Sequence, residues 1–235
     1  MKKAFSMIEL VFAIVVIGIL AATILPSTKT NPLQEAAIQL QSHIRYTQHL
    51  AIVDDKYNAL RIDTAGDLIW FKDRWQLVFS SSSYTGGSDV WAYTIFSDRT
   101  GNAVTRGDAQ ESEVAKNPEN SNQIMTGGYS ATAALDYTND DFKGMKKLNL
   151  GKSYGVTSIE LTGGCPSSDG YRIVFDSLGR PLKGDMSGNN TAYESDNLIQ
   201  TNCDITLSDG SENVVLRIRP ETGYVCILNS SSVCI

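Results

Sequence analysis

The sequence predicts an α+β fold in which a long N-terminal helix packs on a mainly antiparallel β-sheet head. Residues 5–25 are apolar at nearly every position, and from residue 33 onward apolar residues recur at helical spacing. Short β-branched and aromatic runs, separated by Gly, Asn, Asp and Ser, follow in the rest of the 235-residue chain. These patterns predict one helix with an apolar first half and an amphipathic second half, followed by a sheet.

The apolar segment 5–25 has the length of a membrane span. As a helix it would extend about 32 Å at about 1.5 Å per residue, close to the thickness of a bilayer core. Lys2 and Lys3 precede it, with only Ala4 between, and basic residues on this side predict a cytoplasmic N-terminus. We therefore expect a single-pass membrane anchor, with the rest of the chain on the far side of the membrane.

The second half of the predicted helix begins at a restart signal. Asn31 is a favourable cap, and Pro32 suits the first helical position. The apolar residues that repeat at helical spacing are Leu33, Ala36, Ala37, Leu40, Ile44 and Ala51. This amphipathic half is expected to extend to about residue 53, and its apolar face requires a sheet to pack against.

The remaining chain has strand patterns around a polar insertion. The strand patterns are Leu60–Asp63, Leu68–Phe71, Trp75–Phe79, Val90–Phe96, Val156–Leu161, Tyr171–Asp176, Ile205–Leu207, Val214–Arg219 and Tyr224–Leu228. Between about residues 97 and 153 polar residues and Gly predominate, which predicts an elaborated loop region with at most one short helix. Residues 220–223 have the composition of a turn between the last two strands.

Glu9 is the only charged residue in the segment 5–25. A carboxylate inside a membrane span is costly unless it reaches the interface or finds a partner. Two interpretations follow: a functional carboxylate, or one that lies near enough to the cytoplasmic interface to be tolerated.

The first residues resemble a known family. A basic pair, Lys2-Lys3, precedes Ala4. Phe5 then opens an unbroken apolar stretch, with Glu9 four residues later. This pattern is similar to the class III leader of type IV prepilins and type II secretion pseudopilins. The resemblance implies that a prepilin peptidase cleaves between Ala4 and Phe5 and methylates Phe5, although the family more often has Gly at the position of Ala4.

The same resemblance implies roles for three further residues. The carboxylate of Glu9 would pair with the new amine of a neighbouring subunit in an assembly salt bridge, which relieves two desolvation penalties together. Gly18 and Pro26 fall where many pilins carry residues that loosen the helix. The implied domains are a leader (1–4), a transmembrane and polymerisation helix (5–25), the amphipathic half-helix (26–55) and a β-rich pilin head (56–235).

The function that the resemblance implies is assembly. The chain would be a minor pilin or pseudopilin of the bacterial inner membrane, with its head in the periplasm. Its partners would be other pilin or pseudopilin subunits and the inner-membrane assembly platform of a type II secretion pseudopilus or a type IV pilus. Four segments are similar to minor pseudopilins of the H type (GspH/FimT): QSHIRYTQHLAI, IVFDSLGRPL, DITLSDG and VVLRIRPETGYV. The alternative assignment is another minor pseudopilin or a pilin.

All four cysteines lie in the last third of the chain: Cys165, Cys203, Cys226 and Cys234. The proposed topology places them in an oxidising compartment, where disulfides persist. Four cysteines allow three connectivities. We favour Cys226–Cys234, which would join the C-terminal tail to the last strand, together with Cys165–Cys203. Free thiols are the alternative.

Catalytic and metal motifs are absent from the sequence. It contains no nucleophile elbow, metalloprotease motif, P-loop or dinucleotide-binding motif, so we expect no enzyme activity. His43 and His49 lie six residues apart, on different predicted helix faces, and make a weak metal pair. Two acidic runs have ligands suited to calcium: Asp136, Asn139, Asp140 and Asp141, and then Asp185, Asn189, Asn190, Glu194 and Asp196. Solvated polar loops are the alternative, and no other cofactor is expected.

The formal net charge of −6 disfavours nucleic-acid binding. A local basic group remains, formed by Lys143, Lys146, Lys147 and Lys152. It leaves open an alternative function in which the same leader serves a tip adhesin or a DNA-uptake minor pilin.

Overall fold

A computed structural model of the chain describes residues 6–24, 31–99, 107–166, 170–194 and 197–235. The chain divides into two compact units between Asn31 and Pro32. The first unit contains helix α1 (Met7–Ile24). The second contains α2 (Pro32–Val53), α3 (Leu150–Tyr154) and all the described strands.

The prediction of one long N-terminal helix packed on a sheet is wrong. The N-terminal region has two separate helices instead, and α2, with 22 residues, is the longest helix in the described residues. Pro32 explains why α2 begins a new helix. Proline has no backbone N–H, and inside a helix its ring would clash with the carbonyl four residues earlier.

No helix in the described residues is both long and apolar enough to cross a membrane. This finding contradicts the predicted single-pass inner-membrane anchor, and with it the cytoplasmic N-terminus and the periplasmic head. Phe5 and Leu25, the ends of the predicted span, lie outside the described residues.

The described strands form two four-stranded antiparallel sheets. They are β1 (Trp75–Ser82), β2 (Gly87–Ser97), β3 (Ser158–Gly163), β4 (Arg172–Phe175), β5 (Pro181–Lys183), β6 (Cys203–Ser208), β7 (Asn213–Ile218) and β8 (Val225–Ile227). The first sheet has the order β2-β1-β4-β5 and the second β3-β6-β7-β8. The chain changes sheet after β2, after β3 and after β5, so neither sheet is an independent domain.

Helix α2 contacts β1 and β4 of the first sheet and β6, β7 and β8 of the second. Its buried residues are Leu33, Ala36, Ala37, Leu40, Ile44, Thr47 and Ala51. Their spacing is that of an amphipathic helix, as the sequence pattern predicts. Together with inward-facing residues of both sheets they form one continuous hydrophobic core.

A single glutamine of α2 joins turns from both sheets. The Nε2 of Gln48 donates to the carbonyl of Gly179, between β4 and β5, and to that of Thr222, between β7 and β8, each at 2.8 Å. Gly223, with φ 63°, is required here because a Cβ at this position would clash with the Gly179 carbonyl. The two turns therefore approach each other closely at the end of α2.

Two predicted strands are largely missing. The patterns at 60–63 and 68–71 give one isolated bridge, between Ile62 and Leu68, and residues Trp70–Asp73 form a 3₁₀ helix. Leu60 and Ile62 are exposed, so the first segment has no apolar surface to cover. In the second segment Ile69 and Phe71 are buried, but the 3₁₀ helix takes the place of a strand. Strand β5 was not predicted because it is only three residues long and begins at a proline, which is tolerated at a strand edge.

The predicted loop region 97–153 contributes directly to the core in its described part. Its buried apolar residues are Ala109, Val114, Ala115, Ile124, Met125, Leu135, Leu148 and Leu150. Isolated bridges pair Phe96 with Val114 and Thr94 with Thr126. Because β1 occupies the other side of β2, this segment covers the outer edge of β2. Its short bridges and 3₁₀ turns have no regular period, which explains the weak sequence signal.

Asn149 holds this segment to the first sheet. The residue is fully buried, and its Nδ2 donates to the carbonyls of Thr85 (2.8 Å) and Gly127 (3.0 Å). Its Oδ1 accepts the backbone N–H of Lys152 at 2.9 Å, which caps α3. One side chain thus satisfies polar groups from three parts of the chain.

A second buried polar contact joins His43 of α2 to Tyr93 of β2. Nδ1 of His43 is 2.7 Å from the hydroxyl of Tyr93, a fully buried residue of β2, and the same hydroxyl accepts from Gln39 at 2.9 Å. Burial lowers the pKa of His43 from its ordinary value of 6.5 to about 4. His43 is therefore neutral at pH 7, and its Nδ1 can accept a hydrogen bond from the Tyr93 hydroxyl.

Replacing Asn149 by Ala should lower the free energy of unfolding by about 3 kcal/mol, because it leaves buried carbonyls and an N–H without partners. Urea unfolding followed by circular dichroism measures this. Asn139→Ala is the matched control, since Asn139 is exposed and its Oδ1 accepts the N–H of nearby Asp141. It should change stability by less than about 0.5 kcal/mol. Equal stability of Asn149→Ala and wild type would contradict the proposed role.

The His43 contact predicts acid sensitivity. The folded pKa lies below the unfolded value, so this contribution is complete above pH 6.5 and is lost as the pH falls from about 6.5 towards 4. Relative to His43→Gln, wild type should lose about 2 kcal/mol of unfolding free energy between pH 7 and pH 5. Chemical unfolding at several pH values tests this. His49→Gln, at an exposed position of the same helix, should keep the wild-type pH dependence, and a His43→Gln profile parallel to wild type would refute the assignment.

Candidate functional site

Most of the predicted processing site lies outside the described residues. Ala4, Phe5 and Pro26 are not among them. Gly18 lies within α1, and the helix continues past it to Ile24. The structure therefore describes the helix that follows the proposed cleavage point, without the cleavage point itself.

Helix α1 has an apolar surface on all sides. Every large apolar side chain from Met7 to Leu20 is exposed, from 38% at Val16 to 86% at Met7. They are Met7, Ile8, Leu10, Val11, Phe12, Ile14, Val15, Val16, Ile17, Ile19 and Leu20. We call this set the α1 surface. A helix that is hydrophobic around its whole circumference is normally buried, so the α1 surface is typical of a helix that needs a covering partner.

Glu9 lies in the first turn of α1 and is exposed. Its Oε2 accepts the backbone N–H of Ser6 at 3.3 Å. This is the glutamate half of a capping box, with Ser6 as the cap and Glu9 three residues later. The S-x-x-E spacing of Ser6 and Glu9 is the sequence signal for this cap. The cap fixes the carboxylate at the N-terminal end of the α1 surface.

The four cysteines form two disulfides. Cys165 is bonded to Cys203, and Cys226 is bonded to Cys234, which are the two pairs favoured from the sequence. The second bond joins β8 to the C-terminal tail. Leu228 forms a bridge with Cys234, and the N–H of Ile235 donates to the carbonyl of Ile227 at 2.9 Å.

A cavity of about 610 Å³ opens beside the first sheet. We call it the cleft. Its walls come from β1 and the turn after it, from the start of β4, and from segments 108–110 and 129–132. The lining residues with polar or aromatic side chains discussed below are Tyr84, Asp108, Tyr129, Ser130, Tyr171 and Arg172. Its volume lies in the ordinary range for small-molecule sites.

The polar groups of the cleft are held in place by one another and by the sheet. The hydroxyl of Tyr129 donates to Oδ1 of Asp108 at 3.2 Å. Burial raises the pKa of Tyr129 to about 12, so this hydroxyl keeps its proton. Arg172 is 8% exposed; its guanidinium donates to Oε1 of Gln76 at 3.1 Å and lies 3.4 Å from Oδ2 of Asp185.

The cleft also has aromatic walls and one unsatisfied hydroxyl. Tyr84 and Tyr171 are 36% and 41% exposed. The Tyr171 ring packs edge-on against Trp91 of β2, with ring centroids 5.1 Å apart. The Oγ of Ser130 is buried and has no hydrogen-bond partner in the part of the chain that the structure describes. Native proteins leave few buried polar groups unpaired, so this hydroxyl requires an explanation.

Sequence reasoning missed the cleft entirely. Its residues come from four separated segments, and Asp108, Tyr129 and Ser130 lie in the region interpreted as a polar loop. No spacing along the chain indicates that these segments meet, so the sequence carries no local signal for the site.

The proposed calcium ligands act mainly as turn caps. Within the described ranges, no group of three or more His, Cys, Asp or Glu side chains is placed to hold a metal ion. Asp136 caps the N–H of Thr138, Asp185 caps that of Ser187, and Glu194 accepts from Asn190. Asp196 lies outside the described residues.

The lysines of the proposed basic group are partly neutralised. Lys143 forms an ion pair with Glu111 at 2.6 Å, and Lys147 lies 3.8 Å from a carboxylate oxygen of Glu35. These pairs reduce the positive potential that a nucleic-acid backbone would require.

Comparison with known proteins gives no match. No protein-family model matches the chain, and neither the curated proteins nor the solved structures contain one that is significantly similar to it.

Proposed function

We propose that this protein is a filament subunit that assembles with like subunits through helix α1. The main support for this proposal is the α1 surface, which is apolar on every side of the helix and exposed. Burying one large apolar side chain contributes about 1.5–3 kcal/mol, so covering this helix has a large driving force. Because no side of α1 is polar, the cover must surround the helix, as neighbouring α1 helices in a filament core would.

The leader resemblance supports the same function. Cleavage between Ala4 and Phe5 by a prepilin peptidase would place a methylated amine close to the first turn of α1. Glu9, the one acidic residue in that turn, is then the complementary charge for the amine of a neighbouring subunit. In a core formed by apolar helices an unpaired charge is costly, so this pair would fix the register between subunits.

The proposed assembly is a type II secretion pseudopilus or a type IV pilus, with this chain as a minor subunit of the H type. Other pilin or pseudopilin subunits and an assembly platform are the proposed partners. The two disulfides are of a kind that persists in oxidising compartments.

Assembly through α1 can be tested by photo-crosslinking in cells. A photo-crosslinking amino acid at Ile14, on the α1 surface, should give a ladder of crosslinked products that contain more than one copy of this chain or of related subunits. The same amino acid at Asp140, exposed on the second unit, is the positional control and should give far fewer. Monomer alone at Ile14 would overturn the proposal.

Glu9→Gln separates processing from assembly. We expect the variant to be cleaved and methylated at Phe5, as measured by intact mass. We also expect the yield of crosslinked products from Ile14 to fall at least tenfold. Glu35→Gln, a change of an exposed glutamate in the first turn of α2, should leave both readouts unchanged. A chain that keeps Met1 in cells with an active peptidase would refute the processing step, and unchanged crosslinking in Glu9→Gln would refute the salt bridge.

A further inference from the structure

We propose that the cleft on the second unit binds a neutral, hydroxyl-rich ligand, namely a saccharide. This goes beyond assembly, because the α1 surface belongs to the first unit and contributes no residue to the cleft. The proposal rests on three features of the cleft: its unpaired hydroxyl, its balance of charge and its aromatic walls.

The unpaired hydroxyl of Ser130 lies at the wall of the cleft but is closed to solvent, so a ligand hydroxyl can reach it only after rotation about the Cα–Cβ bond. A buried hydroxyl without a hydrogen bond costs about 1–3 kcal/mol, and the Oγ of Ser130 is in this state. Ser130 lines the cleft together with the hydroxyl residues Ser80, Ser82 and Thr132. A ligand with several hydroxyls offers both donors and acceptors to such a wall.

The charges of the cleft favour a neutral ligand. Asp108 and Arg172 give the lining one carboxylate and one guanidinium. The guanidinium is already engaged by Gln76 and Asp185, so it leaves little for a phosphate or carboxylate. Asp108 uses one oxygen to accept from Tyr129, and its second oxygen can accept from a ligand hydroxyl. A carboxylate that accepts from neutral donors makes stronger hydrogen bonds than a neutral acceptor does.

The exposed rings provide flat apolar faces. Tyr171 is fixed by its edge-on contact with Trp91, and Tyr84 sits in the turn that follows β1. Tyrosine combines an apolar face with a polar hydroxyl at low conformational cost. The C–H face of a sugar ring packs on such a surface while its edge hydroxyls reach the polar groups. A peptide could use the same hydrogen bonds, but an extended peptide needs a free strand edge or a long groove, and the cleft is a single cavity.

Binding can be tested with the purified full chain on a glycan array that displays neutral glucose-, galactose-, mannose- and N-acetylglucosamine-terminated oligosaccharides. The chain should be kept in a polyoxyethylene detergent, since sugar-based detergents would compete. Each positive glycan is then titrated as the free oligosaccharide by isothermal titration calorimetry, which requires no reporter residue in the protein. Peptides and sialylated glycans on the same surface represent the competing ligand classes.

We expect at least one neutral glycan to bind, and Tyr171→Ala and Asp108→Asn each to weaken binding at least tenfold. The matched controls are Tyr224→Ala and Asp140→Asn, which change an exposed tyrosine and an exposed aspartate outside the cleft. Both should keep wild-type affinity. Circular dichroism and thermal unfolding confirm that each variant is folded.

Three results would overturn the proposal. They are no binding to any neutral glycan, binding that Tyr171→Ala and Asp108→Asn leave unchanged, and binding of peptides or anionic glycans alone. Failure of the crosslinking at Ile14 would not bear on these results, because the glycan titration reports on the cleft and does not require assembly.

Discussion

Burial of one face of helix α2 against two sheets is the constraint on which the second unit depends. Neither four-stranded sheet has a helix of its own to cover it apart from the short α3, and the chain crosses between the sheets three times. The apolar face of α2 supplies their shared core, and Gln48 adds a polar contact that joins a turn of each sheet at 2.8 Å. A change that removed the α2 face would therefore uncover both sheets together.

The features that could be predicted from sequence are those with a regular period. The α2 face repeats at helical spacing, and β6 alternates buried and half-buried residues from Cys203 to Ser208. The N-terminal prediction failed because the apolar segment 5–25 and the amphipathic segment that restarts at Pro32 were treated as two halves of one helix, whereas α2 begins as a separate helix at Pro32. The prediction of a strand at 60–63 failed because local strand propensity does not ensure an apolar surface to cover.

Non-local contacts explain the rest of what the sequence could not predict. Residues such as Met125 and Leu148 are buried because they meet β2 from far along the chain, and nothing in their immediate neighbourhood indicates this. The cleft is an extreme case, since Asp108, Tyr129 and Arg172 become neighbours only after the sheet and its covering segment have formed. The Cys226–Cys234 pairing could be predicted from the sequence because Cys226 lies in the last strand and Cys234 lies in the C-terminal tail that follows it.

The tail beyond β8 has a consequence for how copies of this protein can meet. The edge of a sheet presents unpaired N–H and C=O groups, which invite a strand from another molecule. Here the Cys226–Cys234 bond keeps the chain's own last residues on β8, with Ile235 bonded to Ile227. In the first sheet, the segment that pairs with β2 through the bridges Phe96–Val114 and Thr94–Thr126 covers the edge at β2. Strand exchange and edge-to-edge aggregation are thereby blocked at these two edges, so two copies of the second unit can contact each other there only through side chains.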